Sequence, residues 1–122
     1  MRWGLIGTGK HAIERIVPAL SATGQVLAGA VGSSPEKSAA FVAQAGMGRA
    51  YPSLEALLAA PEVEAVFVST PNDRHRDEVI AAAHAGKHVL VEKPMALTET
   101  DCRAMIAACG QAGVALGLGL QP

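Results

Sequence analysis

Strand-like and helix-like hydrophobic patterns alternate along this chain from its first residues to its last, joined by short connections. Few folds accept that order. A strand that returns parallel through a helix makes a right-handed crossover, and a series of crossovers builds a mostly parallel sheet with helices on both faces. The expectation is one doubly wound α/β domain over residues 1–122, with about six strands. A chain of 122 residues suits a single hydrophobic core.

Arg2–Ile6 reads as the first strand, stopped by glycines. His11–Ala22 places Ile13, Ile16, Val17 and Leu20 at helical spacing, and Pro18 inside it should kink or shorten the helix. Val26–Val31 is a second strand, apolar enough to be covered on both faces. Ser34-Pro35-Glu36 then supplies an N-cap hydroxyl, a proline at the first helical position and an acid in the first turn, for a helix that reaches Ala45 and stops at Gly46. Gly48–Tyr51 is a short third strand, and Ser53 caps a helix over Leu54–Ala60. Glu64–Ser69 is the fourth strand, Arg74–Ala85 a helix closed by Gly86, and His88–Val91 the fifth strand. Thr98-Glu99-Thr100-Asp101 resembles a capping box ahead of a helix to Ala112, and Val114–Leu120 is a sixth strand.

Composition narrows the function classes. A net charge of −1 with scattered Lys and Arg leaves no electrostatic footprint for nucleic acid. No apolar run reaches the roughly 20 residues of a membrane span, and no export signal opens the chain, so the reading is cytoplasmic. Cys102 and Cys109 stand roughly 10 Å apart on a helix, beyond disulfide reach, and share an apolar stripe with Met105 and Ile106, as core thiols. His84 and His88 are four apart but separated by the helix-ending Gly86, and no histidine has a partner at ligand spacing, so no metal is expected.

The chemistry begins at Gly7-Thr8-Gly9-Lys10-His11-Ala12, which fits G-x-G-x-x-[G/A] between the first strand and the first helix. Gly7 permits the tight turn, Gly9 leaves out the Cβ that would block a pyrophosphate, and Ala12 lets helix and strand approach. The N–H groups of Thr8, Lys10 and His11 then face the phosphates. This is the dinucleotide fingerprint of a Rossmann domain. About 20 residues further on, an NAD site carries an acid for the ribose 2′-OH. Here Gly32-Ser33-Ser34 occupies that place, with no acid between Glu14 and Glu36. Small hydroxyl side chains leave room for a 2′-phosphate, and Lys37, ahead of Arg15, supplies positive charge. The cofactor expectation is NADP, with NAD the alternative and Ser34 also readable as a helix cap alone.

Two further stretches carry a family resemblance. Ser69-Thr70-Pro71-Asn72-Asp73-Arg74-His75 and Ala85-Gly86-Lys87-His88-Val89-Leu90-Val91-Glu92-Lys93-Pro94 follow the glycine turn in the order and spacing of the glucose–fructose oxidoreductase and inositol dehydrogenase family (Gfo/Idh/MocA), which the whole chain resembles. The resemblance implies that Thr70, Pro71 and Asn72 line the cofactor's ribose and nicotinamide side, with His75 nearby. It implies that Glu92 binds the nicotinamide ribose, that Lys93 relays a proton between cofactor and substrate, and that Pro94 holds that turn. It also implies hydride transfer to or from a sugar or polyol. His75, near a helix start, is equally readable as a backbone-bonded histidine.

Family members carry a second α/β domain that shapes the substrate pocket, and this chain lacks it. The ending Leu118-Gly119-Leu120-Gln121-Pro122 directly after a strand suggests a piece of a longer protein. The isolated chain is therefore expected to bind cofactor, to be mainly monomeric and to lack turnover. A redox-sensing or interaction module without chemistry is the alternative, and the Glu92-Lys93-Pro94 stretch favours the enzyme.

Overall fold

A computed structural model describes residues 1–119 of the chain. Its strands are β1 (Arg2–Ile6), β2 (Val26–Val31), β3 (Arg49–Ala50), β4 (Ala65–Val68), β5 (His88–Glu92) and β6 (Leu116–Gly119). They form one sheet in the order β3-β2-β1-β4-β5-β6, and each neighbouring pair is parallel. The chain winds outward from β1 to β3 and then crosses back to the other side of β1. That reversal leaves a crevice at the carboxyl ends of β1 and β4, where open α/β sheets take their ligands.

The helices are α1 (Val17–Ala22), α2 (Pro35–Ala45), α3 (Leu54–Ala59), α4 (His75–His84) and α5 (Glu99–Ala112). Successive strand residues point to opposite faces, so β1 divides its side chains between two cores. Leu5 packs with Val17, Leu20 and Phe41 beneath α1 and α2. Ile6 packs with Leu57, Val79 and Met105 beneath α3, α4 and α5. The start and stop signals act as expected. Ser34, Ser53 and Thr98 each accept a hydrogen bond from the backbone N–H three residues on, and Gly46 and Gly86 follow their helices at φ of 72° and 76°.

Three details differ from expectation for identifiable reasons. Pro18 does not end the first helix. Residues Ala12–Ile16 widen into a π turn, with Val17 N–H donating to Ala12 O, five residues back. The wide turn makes room for a ring that would otherwise press on the preceding carbonyls, and the helix continues to Ala22. The capping box is half formed, because the Asp101 carboxylate accepts from Arg76 at 3.2 Å instead of turning back to Thr98. The stripe on α5 is also rotated. Met105, Ala108 and Cys109 are its buried residues, Cys102 is half-buried at the margin, and Ile106 is 57% exposed. Both thiols are free. The last residue expected in the sixth strand, Leu120, lies outside the described residues, as do Gln121 and Pro122.

At the opposite end of the sheet from the crevice, Lys87 is buried and its ammonium donates to Ala60 O at 2.9 Å and Val63 O at 2.6 Å. It ties the exit of α3 to the entry of β5. Lys87→Met keeps the stem's volume and removes both bonds, so it should destabilise the fold by about 1–3 kcal/mol. Urea unfolding measures the difference, and an unchanged midpoint would rule out the clip.

Candidate functional site

Three loops meet where β1, β2 and β4 end. Gly7 stands at φ +114°, and a Cβ there would lie 2.6 Å from Ser69 O, so the first turn rests directly on the backbone leaving β4. Gly7 N–H donates to Val31 O at 2.9 Å, and Ser69 N–H to Ile6 O at 2.8 Å, which locks all three strand ends together. Thr8 packs its side chain onto Gly32, where a Cβ would come within 2.4 Å of the hydroxyl. Gly9 is different, since a Cβ there would meet no atom within 4 Å. The helix ladder starts with Ile13 N–H donating to Gly9 O at 3.3 Å. The N–H groups before it lie at the helix's open end, where an anion is favoured.

Clefts flank this turn on both sides. One of about 400 Å³ is lined by Thr8, Gly9, Lys10, Ile13, Lys37 and Phe41, among others. A smaller one of about 170 Å³ includes Gly7, Gly32, Ser33, Ser34, Thr70 and Arg74 in its lining. The expected 2′-phosphate residues are therefore divided. Ser33 and Ser34 border the small cleft, whereas Lys37 borders the large one, and Arg15 lines neither. Lys10 is exposed and pairs with Glu14 at 3.7 Å. Ser34 is the N-cap of α2, its hydroxyl accepting from Lys37 N–H at 3.2 Å.

Several participants escaped the sequence reading. Ser38, buried on α2, accepts from Gly32 N–H at 2.8 Å and donates to Ser34 O at 3.1 Å, which shapes the loop after β2. Arg74 brings a guanidinium to the small cleft, 3.4 Å from the buried carboxylate of Glu78. Glu78 also accepts from the Thr70 hydroxyl. Burial pushes its pKa up, and the Thr70 hydrogen bond and the Arg74 charge only partly offset that. An Arg and a Glu four apart within an apparent helix surface gave no sign of facing a cleft.

Along the rim beyond β4 and β5, Thr70 is half-buried and Pro71 and Asn72 are exposed. Glu92 accepts from the Ser69 hydroxyl at 3.1 Å, and His11 Nε2 lies 2.7 Å from its other oxygen. The glycine-turn helix and the end of β5 are thus joined through a carboxylate. Lys93 and Pro94 are exposed, and the peptide between them is cis. His75 is only 1% exposed. Its Nε2 is 2.8 Å from Thr70 O, and its Nδ1 is 3.1 and 3.2 Å from Pro94 O and Met95 O. It lies behind the rim, bonded to backbone.

A glycine turn at a topological switch point, with a carboxylate and an amine on the adjoining rim, is a dinucleotide arrangement, and comparison with known proteins agrees. The family model for the Gfo/Idh/MocA oxidoreductases, NAD-binding Rossmann fold, matches residues 1–120. The chain belongs to this family. A 1,5-anhydro-D-fructose reductase of Ensifer adhaerens is 46% identical over 116 residues, which are 95% of this chain and 35% of the relative. A 3-ketoreductase from Actinomadura kijaniata, solved with NADP and TDP-benzene, superimposes with a TM-score of 0.90 at 29% identity, over 97% of this chain and 37% of the other. A dehydrogenase from Bordetella pertussis, solved with NADH and UDP-GlcNAcA, gives 0.90 at 34% identity, over 97% and 36%. The chain spans about a third of the length of the curated relatives it matches. Among the described residues of this Gfo/Idh/MocA chain no group of three or more His, Cys, Asp or Glu could hold a metal, and no helix is long and apolar enough to cross a membrane.

The raised pKa of Glu78 has a measurable consequence. The folded chain holds this proton to higher pH than the unfolded chain does, so stability falls as pH rises above the ordinary glutamate range. Glu78→Gln carries no titrating proton. Thermal melts across a pH series should show the wild type losing stability relative to the variant on the upward side of that range. Parallel curves would mean that burial of Glu78 does not govern its proton.

Proposed function

We propose that this chain is the cofactor-binding part of an NAD(P)-dependent oxidoreductase acting on a sugar or polyol hydroxyl or the corresponding ketone, with NADP(H) preferred. The observation that carries the reading is Gly9, whose missing side chain faces open space at the start of a helix, in the lining of the larger cleft. In this reading the N–H groups of Thr8, Lys10 and His11 hold the pyrophosphate, and Gly7 keeps that turn against β4. Ser33 and Ser34 take the adenosine ribose, with Arg74 in the lining of the same cleft and Lys37 in that of the other. Thr70, Pro71, Asn72 and Glu92 border the nicotinamide riboside.

When bound, the cofactor supplies a nicotinamide that accepts or donates hydride. The chain's own part is to orient it and to move the substrate's proton. Lys93, exposed beside Glu92, is the group assigned to that proton, and Pro94 fixes the turn that presents it. The retained amine at this place supports a catalytic origin over a sensing module. The sugar substrate class rests on the reductases and dehydrogenases that the chain resembles.

NADP(H) preference follows from the missing acid after β2. Ser33 is exposed, so an aspartate there meets solvent and not the core. Ser33→Asp should weaken NADP(H) by about tenfold or more, through repulsion of the 2′-phosphate, and should strengthen NAD(H) through a 2′-OH hydrogen bond. Calorimetric titration of both cofactors into both proteins tests this. A wild type that clearly prefers NAD(H) would overturn the serine argument.

A further inference from the structure

His75 is the first residue of α4, and it is buried. All of its polar capacity is spent on three carbonyl oxygens, Thr70 O on one ring nitrogen and Pro94 O and Met95 O on the other. Those carbonyls belong to two different loops, one leaving β4 and one leaving β5. Carbonyls only accept, so a loop is hydrogen-bonded where the ring nitrogen facing it carries a proton. A neutral imidazole donates to one loop and a protonated ring donates to both. One turn further along the same face of α4, Glu78 takes the Thr70 hydroxyl. Thr70 is thereby gripped at its carbonyl and at its side chain from a single helix.

We propose that His75 is a positioning residue: its imidazole sets the separation of the Thr70–Asn72 loop from the Lys93–Met95 loop, and so shapes the half of the site that receives the nicotinamide riboside. The role rests on the cofactor reading above. The ring is buried and does not reach the rim, so it acts through what it holds. Pro94, whose carbonyl it fixes, directly follows Lys93, and Thr70 directly precedes Pro71 and Asn72. Each rim residue is therefore one or two peptide units from an anchored carbonyl. The adenosine half of the site meets this clasp at Thr70 and at Arg74, both in the lining of the small cleft. The rest of it is the glycine turn, the loop after β2 and Ser38, which hold one another without His75.

That division makes the test specific. NADPH spans both halves, whereas adenosine 2′,5′-bisphosphate occupies only the adenosine half. Calorimetry with the two ligands should show that His75→Leu weakens NADPH by about tenfold or more and leaves adenosine 2′,5′-bisphosphate within about twofold of wild type. His75→Asn and His75→Gln each reproduce one ring nitrogen, and so keep one loop bonded and fall between. They also carry the comparison if the leucine variant does not fold. Amide hydrogen exchange without ligand gives an independent arm, with residues 70–73 and 95–97 exchanging faster in the variants than in wild type. Equal loss of both ligands would reduce His75 to a general stabiliser, and unchanged NADPH binding in folded variants would remove the role altogether. A wild type that binds neither ligand would sink the cofactor reading and this role with it, whereas failure in the variants alone sinks only the role.

Discussion

The contact between Gly7 and the backbone of Ser69 underlies everything built above the sheet. β1 lies between β2 and β4, so its exit must turn without striking the chain that leaves β4. A side chain at Gly7 would sit 2.6 Å from Ser69 O, on a residue whose φ of +114° already excludes most L side chains. With that turn compact, Thr8 can settle on Gly32, the first helix can start at once, and its open N–H groups come to stand over the crevice. Loosening the turn would separate the three strand ends and dissolve both clefts together.

The site then assembles by side chains that reach from a helix to a strand end or loop. Ser38 reaches from α2 to the loop after β2, His11 reaches from the first helix to Glu92, and His75 and Glu78 reach from α4 to Thr70. Of these, the His11–Glu92 tie joins segments far apart in sequence and the others bridge neighbouring elements, and each uses a side chain that could have been solvated. Polar groups buried in this way are costly unless satisfied, and among the described residues no buried side-chain polar atom lacks a partner. The rim is consequently a set of exposed groups, Asn72, Lys93 and Pro94, mounted on a satisfied and buried scaffold. Precise placement of groups on loops requires that kind of support.

Most of the fold was legible because its signals are local. Ser34-Pro35-Glu36 marked a helix start by its own chemistry, and Gly46 and Gly86 ended helices by theirs. The glycine turn was legible for the same reason, since its spacing and its flanking elements are contiguous. What was not legible depends on tertiary partners. Nothing in residues 12–18 announces that a π turn will precede Pro18. The burial of Cys102 and Ile106 was misjudged because helical spacing gives a face but not its angle to the sheet, and α5 turns Ile106 outward. His75 could be read from sequence as a backbone-bonded histidine or as a cofactor neighbour. Only the proximity of β4 and β5, which brings Thr70 O and Pro94 O to either side of the ring, separates the two. Arg74 and Lys37 were distinguishable only once the clefts existed, because they border different ones.

The central claim is that the glycine turn is the seat of a nicotinamide dinucleotide. Gly9→Val tests it most directly, since a side chain there enters space that no protein atom occupies. Calorimetric titration of NADPH, paired with circular dichroism of the same samples, is the measurement. The account predicts that binding falls below detection while the spectrum and its thermal midpoint stay at wild-type values. Undiminished binding in the folded variant would place the cofactor elsewhere, and loss of the folded spectrum together with binding would make Gly9 a structural glycine only.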